Sequence, residues 1–255
     1  MAAVIDGAAP RIQGRGTPAA AWRRWPGWAG VPVAEAAQLV PAGGRAVIVA
    51  PHPDDEVIGT GVLQQALAAA GRGCRVVAVT DGDASHPGSG LWTRAELAAG
   101  RRGESARAAA VLGLPQAACR LHLPDGGVAA QEATLARRLA ALLEPADTVF
   151  ATWRHDGHPD HEAVGRAAAA AARMRGARLV EVPVWCWHWS GPGDPRLPWH
   201  RARRLAAPAQ ALRRKQQALA CFRSQLLPDP TTGAAPILPA WALQRWAAVG
   251  EVFFA

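Results

Sequence analysis

Residues 46–56 read Ala-Val-Ile-Val-Ala-Pro-His-Pro-Asp-Asp-Glu, and they decide how the rest of the chain is interpreted. The five apolar, partly β-branched residues at the start predict a buried strand. Residues 57–67, Val-Ile-Gly-Thr-Gly-Val-Leu-Gln-Gln-Ala-Leu, predict the first turns of a helix. Between strand and helix lies a short loop with one imidazole and three carboxylates. Such a strand-loop-helix unit places ligands at the carboxyl end of a parallel sheet.

Strand and helix patterns alternate outward from this loop, which predicts an α/β fold. Further strands are predicted at 75–80, 119–123, 148–153 and 178–187, with helices at about 92–112, 131–143, 162–175 and 209–224. We therefore expect a single Rossmann-like domain, residues 41–255, with a mostly parallel sheet flanked by helices. Residues 1–40, rich in Ala, Gly, Pro and Arg, are expected to form an N-terminal arm. The glycine-rich phosphate-binding motifs of common nucleotide sites are absent from the sequence.

The composition of the 255 residues indicates a soluble globular protein, with 50% hydrophobic and 19% charged residues. Arginine provides almost all of the positive charge, since Lys215 is the only lysine. No dense basic stripe with interleaved aromatic residues is present, so we expect a small-molecule partner and no nucleic acid. The four cysteines form no Cys-x-x-Cys pair, which favours free thiols in a reducing compartment. With no signal-peptide pattern and no long apolar run, we expect a cytoplasmic protein without a membrane span.

Acidic and histidine residues follow each strand that the pattern predicts clearly. They are Asp54, Asp55, Asp81, Asp83 and Asp125, together with the histidines and aspartates of residues 155–161. Because the carboxyl ends of parallel strands share one edge of a sheet, we expect these loops to meet at an active site there.

A metal ion fits this group of residues. His52 and Asp55 are three residues apart in one loop, and His161 begins a predicted helix after another strand. Two histidines and one carboxylate leave a coordination position open for water, which is typical of a catalytic zinc site. Other divalent first-row metals remain possible for the same donor set. Such an ion lowers the pKa of bound water and polarises a carbonyl group.

The remaining loop residues have the chemistry of proton transfer. Asp54 is a candidate general base, and His158 is a candidate acid or carbonyl polariser with Asp160 to orient or charge it. The alternative is that Asp54, Asp55 and Asp160 simply cap the helices that follow them. Two loops that each combine histidine with aspartate at a strand end favour the catalytic interpretation.

The two loop motifs, His52-Pro53-Asp54-Asp55-Glu56 and His158-Pro159-Asp160-His161, resemble the paired signatures of the LmbE or PIG-L family of zinc-dependent N-deacetylases. The resemblance runs from about residue 45 to residue 172. It implies that His52, Asp55 and His161 bind zinc, that Asp54 is the general base, and that His158, tuned by Asp160, stabilises the oxyanion or protonates the amine.

By the same resemblance, Arg101 and Asp125 are the positions expected to hold sugar hydroxyl groups. For Arg101 the alternative is a solvated residue on a helix surface. Some family members place a mobile tyrosine before the second motif, but this chain has no tyrosine, and Asp156 and Gly157 occupy that stretch. Polarisation of the substrate carbonyl is then expected from zinc and His158, or from another donor.

Trp185, Trp187 and Trp189 alternate along the predicted fifth strand, so we expect them on one strand face. That face is either part of the core or an aromatic wall for a sugar or an apolar aglycone.

The expected function is a metal-dependent hydrolase that removes the N-acetyl group from an N-acetylglucosamine-type conjugate, giving acetate and a free amine. Two alternatives remain at this point. One is an amidase that cleaves a larger acyl or conjugate amide. The other is a glycosyltransferase that binds a nucleotide-sugar through a divalent ion, although nitrogen ligands favour zinc over magnesium. The sequence leaves the oligomeric state open.

Overall fold

One eight-stranded sheet organises the structure, a computed structural model that describes residues 12–114 and 118–255. The strands are β1 (Val33–Ala34), β2 (Ala46–Ala50), β3 (Cys74–Thr80), β4 (Cys119–Leu123), β5 (Thr148–Thr152), β6 (Arg178–Val182), β7 (Ala202–Leu205) and β8 (Val252–Phe254). Their order is β1-β7-β8-β6-β5-β2-β3-β4, and all pairs are parallel except the two that β8 makes. The predicted α/β class with a mostly parallel sheet is confirmed.

Helices cover both faces of this sheet. They are α1 (Ala19–Arg23), α2 (Ala36–Leu39), α3 (Asp55–Ala69), α4 (Arg94–Val111), α5 (Glu132–Ala140), α6 (Pro159–Arg175), α7 (Cys186–Trp189), α8 (Ala209–Leu219), α9 (Arg223–Leu226) and α10 (Ala240–Val249). All five residues of β2 are buried, Val47 and Val49 in a cluster with α5 and α6, and Ile48 in a second cluster with α3 and α10. Burial on both faces explains why β2 is continuously apolar rather than alternating.

The strand order reverses at β2. The chain passes from β2 outward through β3 to β4 and then returns to β5 on the other side of β2. The loops that leave β2 and β5 therefore diverge at the carboxyl edge and leave a crevice between them, as at the ligand-binding switch point of other open α/β sheets. The two histidine-containing motifs lie in these two loops.

The predicted fifth strand is wrong beyond residue 182. β6 ends at Val182, and residues 186–189 form α7, so Trp185, Trp187 and Trp189 do not alternate along a strand face. The carboxylate of Asp156 accepts backbone N–H groups from Val184, Trp185 and Cys186, which would otherwise be available to a sheet ladder. Likewise, the single helix predicted at about 209–224 is interrupted after Leu219 and resumes as α9.

Residues 12–40 pack closely on the rest of the molecule. Trp22 is fully buried and donates from Nε1 to the carbonyl oxygen of Trp187 at 3.0 Å. The predicted division into an arm and a domain at residue 40 stays a prediction, and residues 1–11 of that arm lie outside the described residues. Across the described ranges, every helix is too short or too polar to cross a bilayer.

Candidate metal centre and active site

The two motif loops line one cavity of about 280 Å³ at the carboxyl edge of the sheet. Seven of the eight residues predicted from sequence line it: His52, Asp54, Asp55, Arg101, Asp125, His158 and His161. The eighth, Asp160, contacts Nε2 of the His52 ring. Residues 185, 225, 237 and 238, which follow the second motif by more than twenty positions, also line the cavity.

Three predicted metal ligands meet around one carboxylate oxygen. Asp55 Oδ2 lies 3.3 Å from His52 Nδ1 and 3.2 Å from His161 Nε2. The donor atoms of the three residues all lie within 4.8 Å of one another. Asp55 is the first residue of α3 and His161 lies in the first turn of α6, so the starts of two helices present these side chains.

The free lone pair of His161 fits a metal ion. His161 is buried, and its Nε2 lies 3.2 Å from Asp55 Oδ2 but makes no well-aligned hydrogen bond in the described part of the chain. An unpartnered buried nitrogen is costly unless something binds it. Two imidazoles and one carboxylate are also the donor types of a catalytic zinc site with an open position. The residues present therefore fit a divalent metal ion.

Asp156 fixes the orientation of His161, a role that the sequence interpretation missed. Its carboxylate is fully buried and lies 2.8 Å from His161 Nδ1. Because this carboxylate accepts the Nδ1 proton, Nε2 keeps its lone pair for a metal ion. Burial lowers the pKa of His161, but Asp55 and Asp156 outweigh it and raise that pKa to about 9, so a metal ion that binds Nε2 must displace a second ring proton. The one sequence signal was an aspartate in the loop directly after β5.

His52 has carboxylates on both sides of its ring. Its Nε2 lies 3.1 Å from Asp125 Oδ1 and 3.4 Å from Asp160 Oδ2, opposite the nitrogen that faces Asp55. Burial lowers the pKa of His52, but hydrogen bonds to Asp125, Asp160 and Asp55 raise it well above its usual value. Carboxylates behind a ligand histidine hold its ring and increase its basicity.

The carboxylate of Asp160 forms no ion pair or hydrogen bond with the His158 ring among the described residues, but its charge acts on that ring and raises the His158 pKa against the larger opposing effects. It accepts backbone N–H groups from Gly126 and Val128 at 2.8 and 3.2 Å, in addition to its contact with His52. The start of α6 directs the Asp160 side chain toward the loop after β4. The backbone N–H of Asp160 instead donates to His158 Nδ1 at 3.3 Å.

His158 is held as a neutral hydrogen-bond donor. Because its Nδ1 accepts the Asp160 N–H, the ring proton resides on Nε2. Burial and the positive charge of His161 and His52 lower the pKa of His158 to about 3. A neutral imidazole with its proton on Nε2 can donate to an oxyanion in the cavity.

Hydrogen bonds to two side chains hold Asp54 in place. Its backbone N–H donates to Glu56 Oε2 at 2.9 Å, and its carboxylate accepts from Arg101 Nη2 at 3.0 Å. Glu56 is held in turn by the Ser105 hydroxyl at 2.6 Å. Burial raises the pKa of Asp54 to about 8, against the opposing charge of Arg101. Asp54 thus has the environment of a proton-transferring carboxylate.

Comparison with known proteins identifies a family that this part of the chain matches. The family model described as PIG-L, GlcNAc-PI de-N-acetylase, matches residues 47–172, about half of the chain. This segment runs from β2 to α6 and includes both motif loops. No curated protein matches the chain.

Solved structures share the fold. The conserved protein TT1542 from Thermus thermophilus is 28% identical, with a TM-score of 0.53 over 71% of this chain and 80% of that one. The N,N'-diacetylchitobiose deacetylase from Pyrococcus horikoshii is 22% identical, with a TM-score of 0.55 over 71% and 70%. A zinc-inhibited form of teicoplanin deacetylase Orf2 is 20% identical, with a TM-score of 0.56 over 72% and 85%.

Proposed function

We propose that the chain is a metal-dependent hydrolase acting on the N-acetyl group of an N-acetylglucosamine-type conjugate. The chain carries a PIG-L family domain over residues 47–172. The products are acetate and a free amine. The observation that carries the proposal is the meeting of His52, Asp55 and His161 within 4.8 Å, in a cavity that Asp54 and His158 also line.

The proposed metal is zinc, one ion per chain, held by His52, Asp55 and His161. Two imidazole nitrogens and a carboxylate oxygen suit zinc better than magnesium, which prefers oxygen ligands. When bound, the ion supplies activation of a water molecule and polarisation of the amide carbonyl. Other first-row divalent metals share this donor preference, and metal analysis of the purified protein decides between them.

Asp54 is the proposed general base. A buried carboxylate with a raised pKa accepts a proton from water efficiently and gives it up again to the departing nitrogen. The C–N bond of the amide breaks as that nitrogen is protonated, and the acyl group leaves as acetate. His158, with its proton on Nε2, donates to the oxygen that becomes negative as water attacks the carbonyl. In this chain, which has no tyrosine, His158 is the proposed protein donor to that oxygen.

Asp125 is proposed to bind the sugar. It lines the cavity, and its Oδ2 is fixed by the backbone N–H of Ala84 at 2.8 Å. Carboxylates accept hydrogen bonds from sugar hydroxyl groups. Trp185 and Ile237 add apolar surface to the same wall, which suits one face of a sugar ring or an attached aglycone.

The test is a screen of N-acetylglucosamine conjugates for release of acetate and amine, with and without a chelator. The proposal predicts release that the chelator abolishes and added zinc restores. Faster release of longer acyl groups than of acetate would replace it with the amidase alternative. Absence of amide cleavage, together with magnesium-dependent binding of a nucleotide-sugar, would favour the glycosyltransferase.

A further inference from the structure

Arg101 forms hydrogen bonds with both of the loops that follow β2 and β3. Its Nη1 donates to the carbonyl oxygen of Gly82 at 2.9 Å. Its Nη2 donates to the carbonyl oxygen of Pro53 at 2.7 Å and to the carboxylate of Asp54 at 3.0 Å. The side chain is only 3% exposed. Most of the hydrogen-bonding capacity of this arginine is therefore directed at the protein itself.

The site around the guanidinium is shaped to hold it. Gly82 has a φ of 68°, a conformation that glycine adopts without strain. A Cβ at this position would collide with the Arg101 guanidinium. The Nε of Arg101, which finds no partner among the described residues, is buried as well, so it is not presented to solvent in the cavity.

The carboxylate that Arg101 holds belongs to a residue with a strained backbone. Asp54 has a φ of 131° and a ψ of −33°, which a residue with a side chain rarely adopts. Such conformations persist only where the surrounding structure enforces them, and they concentrate at functional sites. Glu56 holds the Asp54 N–H, and Arg101 holds its carboxylate and the preceding carbonyl oxygen.

We propose that Arg101 is a positioning residue, which keeps the Asp54 carboxylate and the Pro53–Asp54 backbone in the orientation needed for proton transfer. The inference rests on the proposed function and differs from the expectation that Arg101 holds sugar hydroxyl groups. Arg101 lines the cavity, but it donates N–H groups to the oxygens of Gly82, Pro53 and Asp54, and its Nε is buried. A bidentate, planar guanidinium is the group that can hold several oxygens in fixed geometry.

Arg102, the next residue of α4, provides a matched control. Its side chain is 39% exposed and its Nη1 binds Asp81 at 3.0 Å. It does not line the cavity at the carboxyl edge. Replacement of either arginine by glutamine removes one positive charge from the same helix, but only Arg101 contacts Asp54.

The experiment compares steady-state kinetics of Arg101→Gln and Arg102→Gln on the N-acetylglucosamine conjugate that the wild-type chain cleaves best. A misplaced general base reduces kcat, and we expect a loss of about 10²-fold for Arg101→Gln. KM should stay within about threefold, because uniform substrate binding is unchanged. Arg102→Gln should retain wild-type values. A large rise in KM with unchanged kcat for Arg101→Gln would instead assign the residue to the sugar and overturn the inference.

Two further variants keep the inference testable if Arg101→Gln does not fold. Arg101→Lys keeps the charge but cannot reach all three acceptors, so kcat should recover only in part. Gly82→Ala leaves Arg101 in the chain but displaces its guanidinium, and it should lower kcat in the same way. Wild-type kcat in a folded Gly82→Ala variant would contradict the proposed role.

A structural measurement separates this inference from the proposed function. If the wild-type chain releases no acetate from any conjugate, the proposed function fails, and a crystal structure of the zinc-loaded chain then tests Arg101 alone. Nη2 of Arg101 within hydrogen-bond distance of the Asp54 carboxylate supports the positioning role. An Asp54 carboxylate turned away from Arg101 in that structure overturns it.

Discussion

The loop after β2 and the loop after β5 occupy equivalent places in the sheet, but they are held by different means. Each follows a parallel strand, precedes a helix and contributes ligands to one candidate metal centre. The β2 loop depends on side chains from α4, with Arg101 on Asp54 and Ser105 on Glu56. The β5 loop is held mainly by backbone N–H groups: Asp156, which orients His161, accepts three from residues 184–186, and His158 accepts one from Asp160.

This difference follows from the chemistry assigned to each loop. In the proposed mechanism the β2 loop provides a carboxylate that exchanges a proton, and this carboxylate sits on a strained backbone that needs external support. The β5 loop provides an imidazole that donates a hydrogen bond without changing charge, and one backbone contact is enough to set its tautomer. Variants that affect one loop at a time test this distinction.

The largest effect is expected from His161→Ala, which removes a nitrogen ligand that belongs to the β5 loop. Metal binding and acetate release should both fall to background, because only His52 and Asp55 of the donor set remain. Metal content by mass spectrometry and acetate release measure the two losses. His155→Ala, at an exposed position of the same loop, is the control and should keep both. Wild-type metal content in His161→Ala would show that His161 is not a metal ligand.

Asp54→Asn should separate metal binding from turnover in the β2 loop. The amide keeps the size of the side chain but cannot take a proton, so turnover should fall by about 10²- to 10⁴-fold. Metal content should equal that of the wild-type chain, since Asp54 is not in the donor set. Asp83→Asn is the control, because Asp83 binds Arg94 and lies outside the cavity. A near-normal rate in Asp54→Asn would show that another group is the base.

Asp156→Asn should weaken the metal site through the β5 loop, and it also alters the acceptor of the N–H groups of residues 184–186. Asparagine keeps an oxygen near His161 but loses the charge that holds the imidazole proton, so metal affinity should fall by about 10- to 100-fold. Competition with a chelator of known affinity measures this change. An affinity equal to that of the wild-type chain would mean that backbone packing, and not Asp156, fixes the ring of His161.

Ser105→Ala should have the smallest effect. It removes the 2.6 Å hydrogen bond to Glu56, which is buried, and should lower the free energy of unfolding by about 1–3 kcal/mol. Urea unfolding measures the difference, and metal content should not change. Thr134→Ala, at an exposed position of α5, should stay within about 0.5 kcal/mol of the wild-type value. An equally small change for Ser105→Ala would mean that Glu56 needs no support from α4.

The sequence was sufficient to predict the fold class and the meeting of the two motif loops. Both predictions depend on general rules of strand patterning and sheet topology. Apolar runs of strand length predicted β2 and β5, and the edge rule for parallel sheets brought His52 and His161 together. Neither step requires knowledge of how a particular side chain packs.

Contacts that depend on packing could not be predicted. Asp160 lies two residues from His158 in sequence, but the start of α6 turns its carboxylate toward Gly126. Asp156 becomes important because the chain after β6 folds back over it, which the alternating tryptophans did not indicate. The burial of Arg101 depends on where α4 packs against the β2 loop, and a single sequence does not give that distance.

The most direct test of the account is a zinc titration of the metal-free chain with acetate release as the readout. For the wild-type chain we predict recovery of turnover that saturates at one ion per chain. Asp54→Asn should bind one ion as well but recover almost no turnover. Equal turnover before and after zinc is added, or full recovery in Asp54→Asn, would contradict the claim that these two loops build one metal-dependent hydrolytic site.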